Sequence, residues 1–389
     1  MAEAGETAAV QRRHAGYFVD FTADARLDYY NISDEAFFAR YAADLENVER
    51  AMDWAFGPEG DTELGLRLTA YSWTVWVSLS RATQYLPWSD LALSRIMPQT
   101  HPQTALLVRR AAVSLNSNFR PMLVPSLAQQ ILPELRAQND PFLLGDPLWS
   151  LAFALFLTGR HDEAVAAHAE AAAVVAGLPV SRLTLATGRT GALLTYDAGD
   201  PAGGLERLAA GARKADAIGA YGWANLMLVD RFIVDHHVAP EVAIPALRDL
   251  LARIRPNHMF AANSIVGATY LLARRLGQRN APGDLEEAFA LARATEKALG
   301  RSVPGNVRVL TVFLAIADGR PRDAARLYGY TMSTMNRMGI NFTGARQNAS
   351  EARERLLELL SETDLEALMA EGDRLTPEQH FVLATKLED

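Results

Sequence analysis

PLWSLAFALFLTGRHDEAVAAHAEAAAVVA, residues 147–176, reads as two helices and the turn between them. Leu148, Trp149, Ala152, Leu155 and Phe156 recur at three- and four-residue steps, the spacing of one helix face. Thr158-Gly159-Arg160 breaks the pattern, and Gly159 can take the left-handed backbone that ends a helix without steric cost. Ala164, Ala167, His168, Ala171 and Val175 then mark the inner face of a second helix, whose small residues let the two axes lie close. Such a hairpin cannot bury both faces alone, so stacked neighbours must complete the core.

Similar turns follow at Gly199 (DAGDPAGGLERLAAGA), near Val238 (HHVAPEVAIPAL), at Gly277 (LGQRNAPGDLEEAFALA) and at Gly319 (ADGRPRDAARLYG), in steps of 40, 39, 39 and 42 residues. After each comes an Ala- or Leu-rich helix with an acidic residue near its start, where it complements the helix dipole. The order of Trp, small residue, Gly and Ala resembles a tetratricopeptide (TPR) hairpin, with longer helices than the usual repeat of about 34 residues. The expected fold is all-α: a TPR-like right-handed superhelix (α-solenoid) of helical hairpins with a period of about 40 residues.

Working outward, the boundaries expected are a disordered lead at 1–9, an N-terminal helical region at 10–103, the TPR-like array at 104–344 and a C-terminal helical cap at 345–389. Phe37, Tyr41, Leu45, Val48, Met52 and Ala55 predict one long helix, stopped by Gly57-Pro58-Glu59-Gly60, and Asp61 caps the next. Pro87, Pro98 and Pro102 restrict the following stretch to a short helix at 89–97. Helices at about 103–116 and 122–137 resume the rhythm, with Pro125 and Pro133 leaving the bounds of the second open.

Composition excludes several classes of function. The 389 residues carry a net charge of −8, which argues against direct nucleic-acid binding. Lysine occurs at 214, 297 and 386 alone, so nearly all the basic residues are arginine. There is no cysteine, hence no disulfide, no thiolate nucleophile and no Cys-based zinc site. No apolar run approaches the roughly 18 residues of a membrane span. The start lacks the apolar core of an export signal. A cytoplasmic protein with no membrane contact is expected.

Two stretches carry a family resemblance. Residues 44–76, DLENVERAMDWAFGPEGDTELGLRLTAYSWTVW, supply Glu46, Asn47, Ala51, Trp54, Ala55, Gly60, Asp61, Gly65, Leu66, Leu68 and Trp76. Residues 322–340, RDAARLYGYTMSTMNRMGI, and the tail EGDRLTPEQHFVLA supply an Ala-Ala-Arg-Leu-aromatic-Gly helix and a Glu-Gly-x-x-Leu ending. Together they resemble the helical-repeat sensor region of large bacterial ATP-binding (STAND-class) transcriptional regulators with LuxR-, AfsR- or CadC-like DNA-binding ends. The resemblance spans about residues 10–386. A phosphate-binding loop needs Gly-Lys-Ser/Thr, and there is no Gly-Lys dipeptide. LTPEQHFVLATKL stops before a recognition helix. The resemblance therefore implies the sensor arm without its ATPase or DNA-reading module.

Aligning each turn to Gly159 puts Trp149, Phe153, Arg189, Tyr196, Asn225, Phe232, Asp235, Arg274, Asn306 and Phe313 on the concave side. Aromatic faces with a few charged and amide groups suit a small molecule or a peptide; inter-helix core is the competing reading. Tyr71, Trp73, Trp76, Tyr85 and Trp88 fit core packing better than a binding wall. His236-His237, with Asp230, Asp235 and His258 near in sequence, is the nearest thing to a metal grouping. Adjacent helical residues point about 100° apart, so one ion cannot take both imidazoles. There is no Gly-x-Ser-x-Gly, and the paired carboxylates sit at helix starts. No catalytic residue, metal or cofactor is expected. The expected function is a non-catalytic TPR-like sensor or scaffold that binds a small-molecule effector or a protein or peptide partner, in transcriptional or signalling regulation. The alternative is a divergent helical-repeat enzyme or ligand-sequestering protein from a bacterial biosynthetic cluster.

Overall fold

The computed structural model describes residues 2–235, 238–299 and 305–386, with side chains described over 8–235, 238–295 and 309–386. The described residues are helical throughout, with no strand among them. The N-terminal part contains α1 (Ala2–Asn31), α2 (Asp34–Tyr41), α3 (Leu45–Phe56), α4 (Thr62–Ser78), α5 (Ala82–Arg95), α6 (Pro102–Phe119) and α7 (Val124–Gln138). The middle contains α8 (Pro141–Leu157), α9 (His161–Val175), α10 (Arg182–Asp197), α11 (Pro201–Ala217), α12 (Tyr221–Val234) and α13 (Pro240–Arg253). It closes with α14 (Ala261–Arg279), α15 (Asp284–Leu299), α16 (Gly305–Ala317), α17 (Pro321–Met338), α18 (Thr343–Leu357), α19 (Glu362–Asp373) and α20 (Pro377–Thr385). None of these helices is long and apolar enough to cross a membrane.

Several local expectations are corrected. The lead is helical from Ala2. The long helix expected after Asp34 is broken by a 3-10 turn at Ala42–Asp44. Pro87 lies inside α5, which starts at Ala82 rather than 89. The hairpin's first helix begins at Pro141, capped by Asp140, whose carboxylate accepts from the Phe142 and Leu143 amides at 2.8 and 3.0 Å. Pro147 therefore sits within it.

Neighbouring helices pack in pairs: α8 on α9, α10 on α11, α14 on α15 and α16 on α17. A second set of contacts links alternate helices. α4 touches α6, α6 touches α8, and the succession continues through α10, α12, α14 and α16 to α18. The even-numbered helices from α4 to α18 thus form one continuous inner row.

The stops that shape this row share one backbone device. After α8, Gly159 is left-handed (φ 72°), its N–H bonds Phe156 O, and the Arg160 N–H reaches back to Leu155 O. These bonds satisfy carbonyls that the helix end would otherwise leave open. The same pair of bonds recurs at Ser80, Gly199 and Gly319, after α4, α10 and α16, and at Gly219 and Gly339, after α11 and α17. Gly277 departs from the expectation. It is buried inside α14, and the left-handed residue that ends this helix is Asn280.

Side-chain bonds between successive pairs repeat at a similar interval. Thr104 to Glu63, Trp149 to Thr190, Arg189 to Asp230, Tyr196 to the Val234 carbonyl, Arg275 to the Asp235 carbonyl and Arg248 to Glu287 all span 38–41 residues.

One apolar cluster runs from Ala15 to Met259 and takes in Met335, Ile340, Phe342 and Ala345; a second spans Val229 to Ala384. One buried ion pair ties α2 to the row, and a second, within the row, holds α1 through the Tyr30 hydroxyl. Arg182 donates to Asp34 at 2.9 Å and to the Tyr29 carbonyl, and Asp34 also accepts from the Gly222 and Met259 amides at 2.7 and 3.1 Å. Arg110 donates to the Tyr30 hydroxyl at 3.0 Å and lies 3.2 Å from Asp146. The α17–α18 connection returns to the middle of the chain. The Asn341 amide donates to the Leu157 carbonyl at 2.7 Å, and the Phe342 and Phe156 rings meet at 5.5 Å.

Candidate functional site

Between the inner row, α1 and the returning α17–α18 connection lies a cavity of about 450 Å³. α8 supplies one wall. Trp149, Phe153 and Phe156 stand at i, i+4 and i+7 and share one helix face. Their rings are nearly parallel: 13° between Trp149 and Phe153 at 6.1 Å, and 21° between Phe153 and Phe156 at 6.3 Å. The Trp149 indole N–H donates to Thr190 on α10 at 3.0 Å, which fixes the ring. Trp223, from the first turn of α12, meets Trp149 edge-on at 5.8 Å, and Phe260 meets Trp223 edge-on at 5.2 Å. Such edge-to-face contacts suit the ring quadrupoles.

One ion pair interrupts this apolar wall. The Arg189 guanidinium lies 4.7 Å from the Phe153 ring centre and grips Asp230 through two bonds, 2.5 and 3.1 Å. The fork geometry pairs one guanidinium edge, Nε and Nη2, with both carboxylate oxygens, so the charges cancel locally.

Of the residues expected on the concave side, Trp149, Phe153 and Arg189 line this cavity together. The others lie elsewhere. Tyr196 is half-buried and donates to the Val234 carbonyl at 2.7 Å; burial, then Asp235 and Asp197, push its hydroxyl pKa up. Asn225 is fully buried, 3.4 Å from His258 Nδ1. Phe232 packs half-buried on the second cluster, and Asp235 takes Arg275 on its carbonyl. Arg274 is buried over Phe313, 4.2 Å from the ring centre, and bonds Asn348 and Glu351. The Asn306 side chain and His236-His237 lie outside the described residues. Trp76 and Tyr85 are buried together as expected of core, whereas Trp73 from the same run lines the cavity.

Sequence reasoning missed Trp223, Phe260 and Phe342. Trp223 stands at the start of its helix, and the other two lie in connections, so none falls on the register counted back from the turns. Asp230 was missed as well, although its place 41 residues after Arg189, about one repeat on, is a signal that could have found it. Among the described residues, no group of three or more His, Asp or Glu side chains could hold a metal ion. Comparison of the chain with protein-family models and with curated proteins gives no match.

Proposed function

We propose that the chain is a non-catalytic TPR-like sensor whose inner cavity binds a small-molecule effector. The inner row of even-numbered helices, the repeated left-handed stops and the rungs 38–41 residues apart support a right-handed superhelix with a period of about 40. The aromatic cavity carries the functional reading. Its volume of about 450 Å³ suits a drug-sized molecule. A protein partner needs on the order of 800 Å² of its surface covered, which favours an open groove.

The mechanism is differential binding. A ligand touching α8, α12 and the α17–α18 connection at once favours the form in which that connection is docked on α8. It shifts the equilibrium by its differential affinity for the two forms and by no more. The resemblance to the sensor arm of ATP-binding regulators supplies the setting, a cytoplasmic transcriptional or signalling switch without direct nucleic-acid contact.

The test is a thermal-shift screen with a metabolite library, run on the native chain and on Leu226→Trp. Leu226 is a half-buried lining residue, and an indole there fills the space. A binder at 100 times its Kd stabilises by about 2.7 kcal/mol. Upward shifts present in the native chain and absent in Leu226→Trp are expected. Their absence, or their survival in the filled variant, overturns the reading.

A further inference from the structure

From the charge balance of the cavity wall we infer that its ligand is an uncharged molecule with a flat aromatic body. This rests on the cavity being a ligand site and adds the class of ligand.

Arg189 and Asp230 are the only charged side chains among the described residues that line the cavity. Each is already the other's partner, through two bonds. The residues at which the lining reaches solvent, among them Thr83, Asn118, Asn263 and Pro377, are uncharged as well. A ligand charge entering this space loses water and meets no free counter-charge. An anion at the Nη1 edge of Arg189 faces a guanidinium that Asp230 already neutralises, with that carboxylate's own charge close by. A cation at Asp230 likewise meets the Arg189 charge, and the aromatic route is compromised too. The Phe153 ring already carries the guanidinium at 4.7 Å, so a second positive charge beside it is repelled.

The shape argument is separate. Trp149, Phe153 and Phe156 present three rings within 13° and 21° of parallel, step by step along α8. Trp223 turns the corner at 74° to Trp149. A planar ring system finds aromatic partners for both its face and its edge among these rings. The amides and hydroxyls of Asn118, Asn263 and Thr83 are suited to hydroxyl, carbonyl or amide groups at its outer end.

Three dyes separate the cases in fluorescence titrations: Nile red (flat, uncharged), 1-anilinonaphthalene-8-sulfonate (anionic) and rhodamine 6G (cationic). Nile red is expected to bind one per chain with blue-shifted emission, at least tenfold tighter than either charged dye. Leu226→Trp and, independently, Ile233→Phe should abolish that binding, with helicity by circular dichroism confirming the fold. Asp230→Asn frees the Arg189 charge and should raise the affinity for the sulfonate at least tenfold. Arg189→Met frees Asp230 and should do the same for rhodamine 6G. If a charged dye binds the native chain as tightly as Nile red and the filled variants block it, the uncharged class is wrong while the cavity site stands. If no dye binds in a way that the filled variants block, the cavity reading falls with it.

Discussion

The molecule uses one device twice, with opposite results. On the cavity side, Arg189 lies over Phe153 and pairs with Asp230. On the far side, Arg274 lies over Phe313 and pairs with Glu351, with Asn348 as a further acceptor. In both, an arginine of the inner row covers a phenylalanine and meets an acid. Beside Arg189 there is a cavity of about 450 Å³; near Asn348 the remaining gap is about 10 Å³. The difference is α18, whose Ala345 and Asn348 line that small gap. Desolvation follows the filling. Burial lowers the Arg274 pKa, and burial together with Arg274 pushes Arg275 down to about 10. The same residue types therefore seal a core where a helix covers them and line an open space where none does.

Removing the acid from each pair should break this symmetry most visibly. Glu351→Ala leaves Arg274, 2% exposed, without its carboxylate, and should cost about 3 kcal/mol. Asp230→Ala leaves Arg189, 11% exposed, beside a cavity rather than a sealed core, and should cost less, about 2 kcal/mol. Urea denaturation of the two variants checks the ratio; equal losses would mean that the two sites are equally dry.

The turn glycines sharpen the contrast at a smaller scale. Gly159 and Gly319 share a left-handed backbone, φ 72° and 73°. Around Gly319 an added Cβ meets nothing within 4 Å, whereas at Gly159 it comes 2.8 Å from the Asn341 carbonyl oxygen. Gly319→Ala should cost about 1 kcal/mol for the backbone alone. Gly159→Ala should cost about 2 kcal/mol and loosen the α17–α18 connection, visible as faster hydrogen exchange at the Asn341 amide.

Acid provides the gentlest probe. Burial lowers the pKa of His168 and of His258, and His258 Nδ1 accepts from the Arg255 amide at 3.2 Å, which holds the ring neutral. Below the ordinary imidazole value of about 6.5 the unfolded chain then binds more protons than the folded one. This contribution is present above that value and is lost as pH falls through it toward the lowered folded values. All six tryptophans lie between residues 54 and 223, so their fluorescence reports the cavity side. Its melting temperature should fall between pH 7 and pH 5, and His168→Gln with His258→Gln should flatten that fall.

Helical class was legible because heptad-like apolar spacing and turn glycines are local signals. The cavity lining was legible where its residues stand about 40 apart in the chain. Trp149, Phe153 and Arg189 stand at equivalent depths behind Gly159 and Gly199, and they meet. Counting from Gly277 misjudged the later pairs, because that glycine continues a helix against Ala317 and Leu314 while Asn280 makes the turn. Phe342 could not be read at all from one repeat. It reaches the cavity because the chain folds back, a long-range contact between residues 156 and 342 that no local pattern encodes.

That return contact also bears on how such a chain can change over generations. An open helical array gains or loses a repeat at little cost, since each unit touches its neighbours alone. Here the bond from Asn341 to Leu157 fixes the number of helices between them. A duplicated hairpin inserted between α9 and α17 would carry Phe342 past Phe156 and leave both ends of the seam unmatched. The seam thus ties the length of chain between Leu157 and Asn341 to one value.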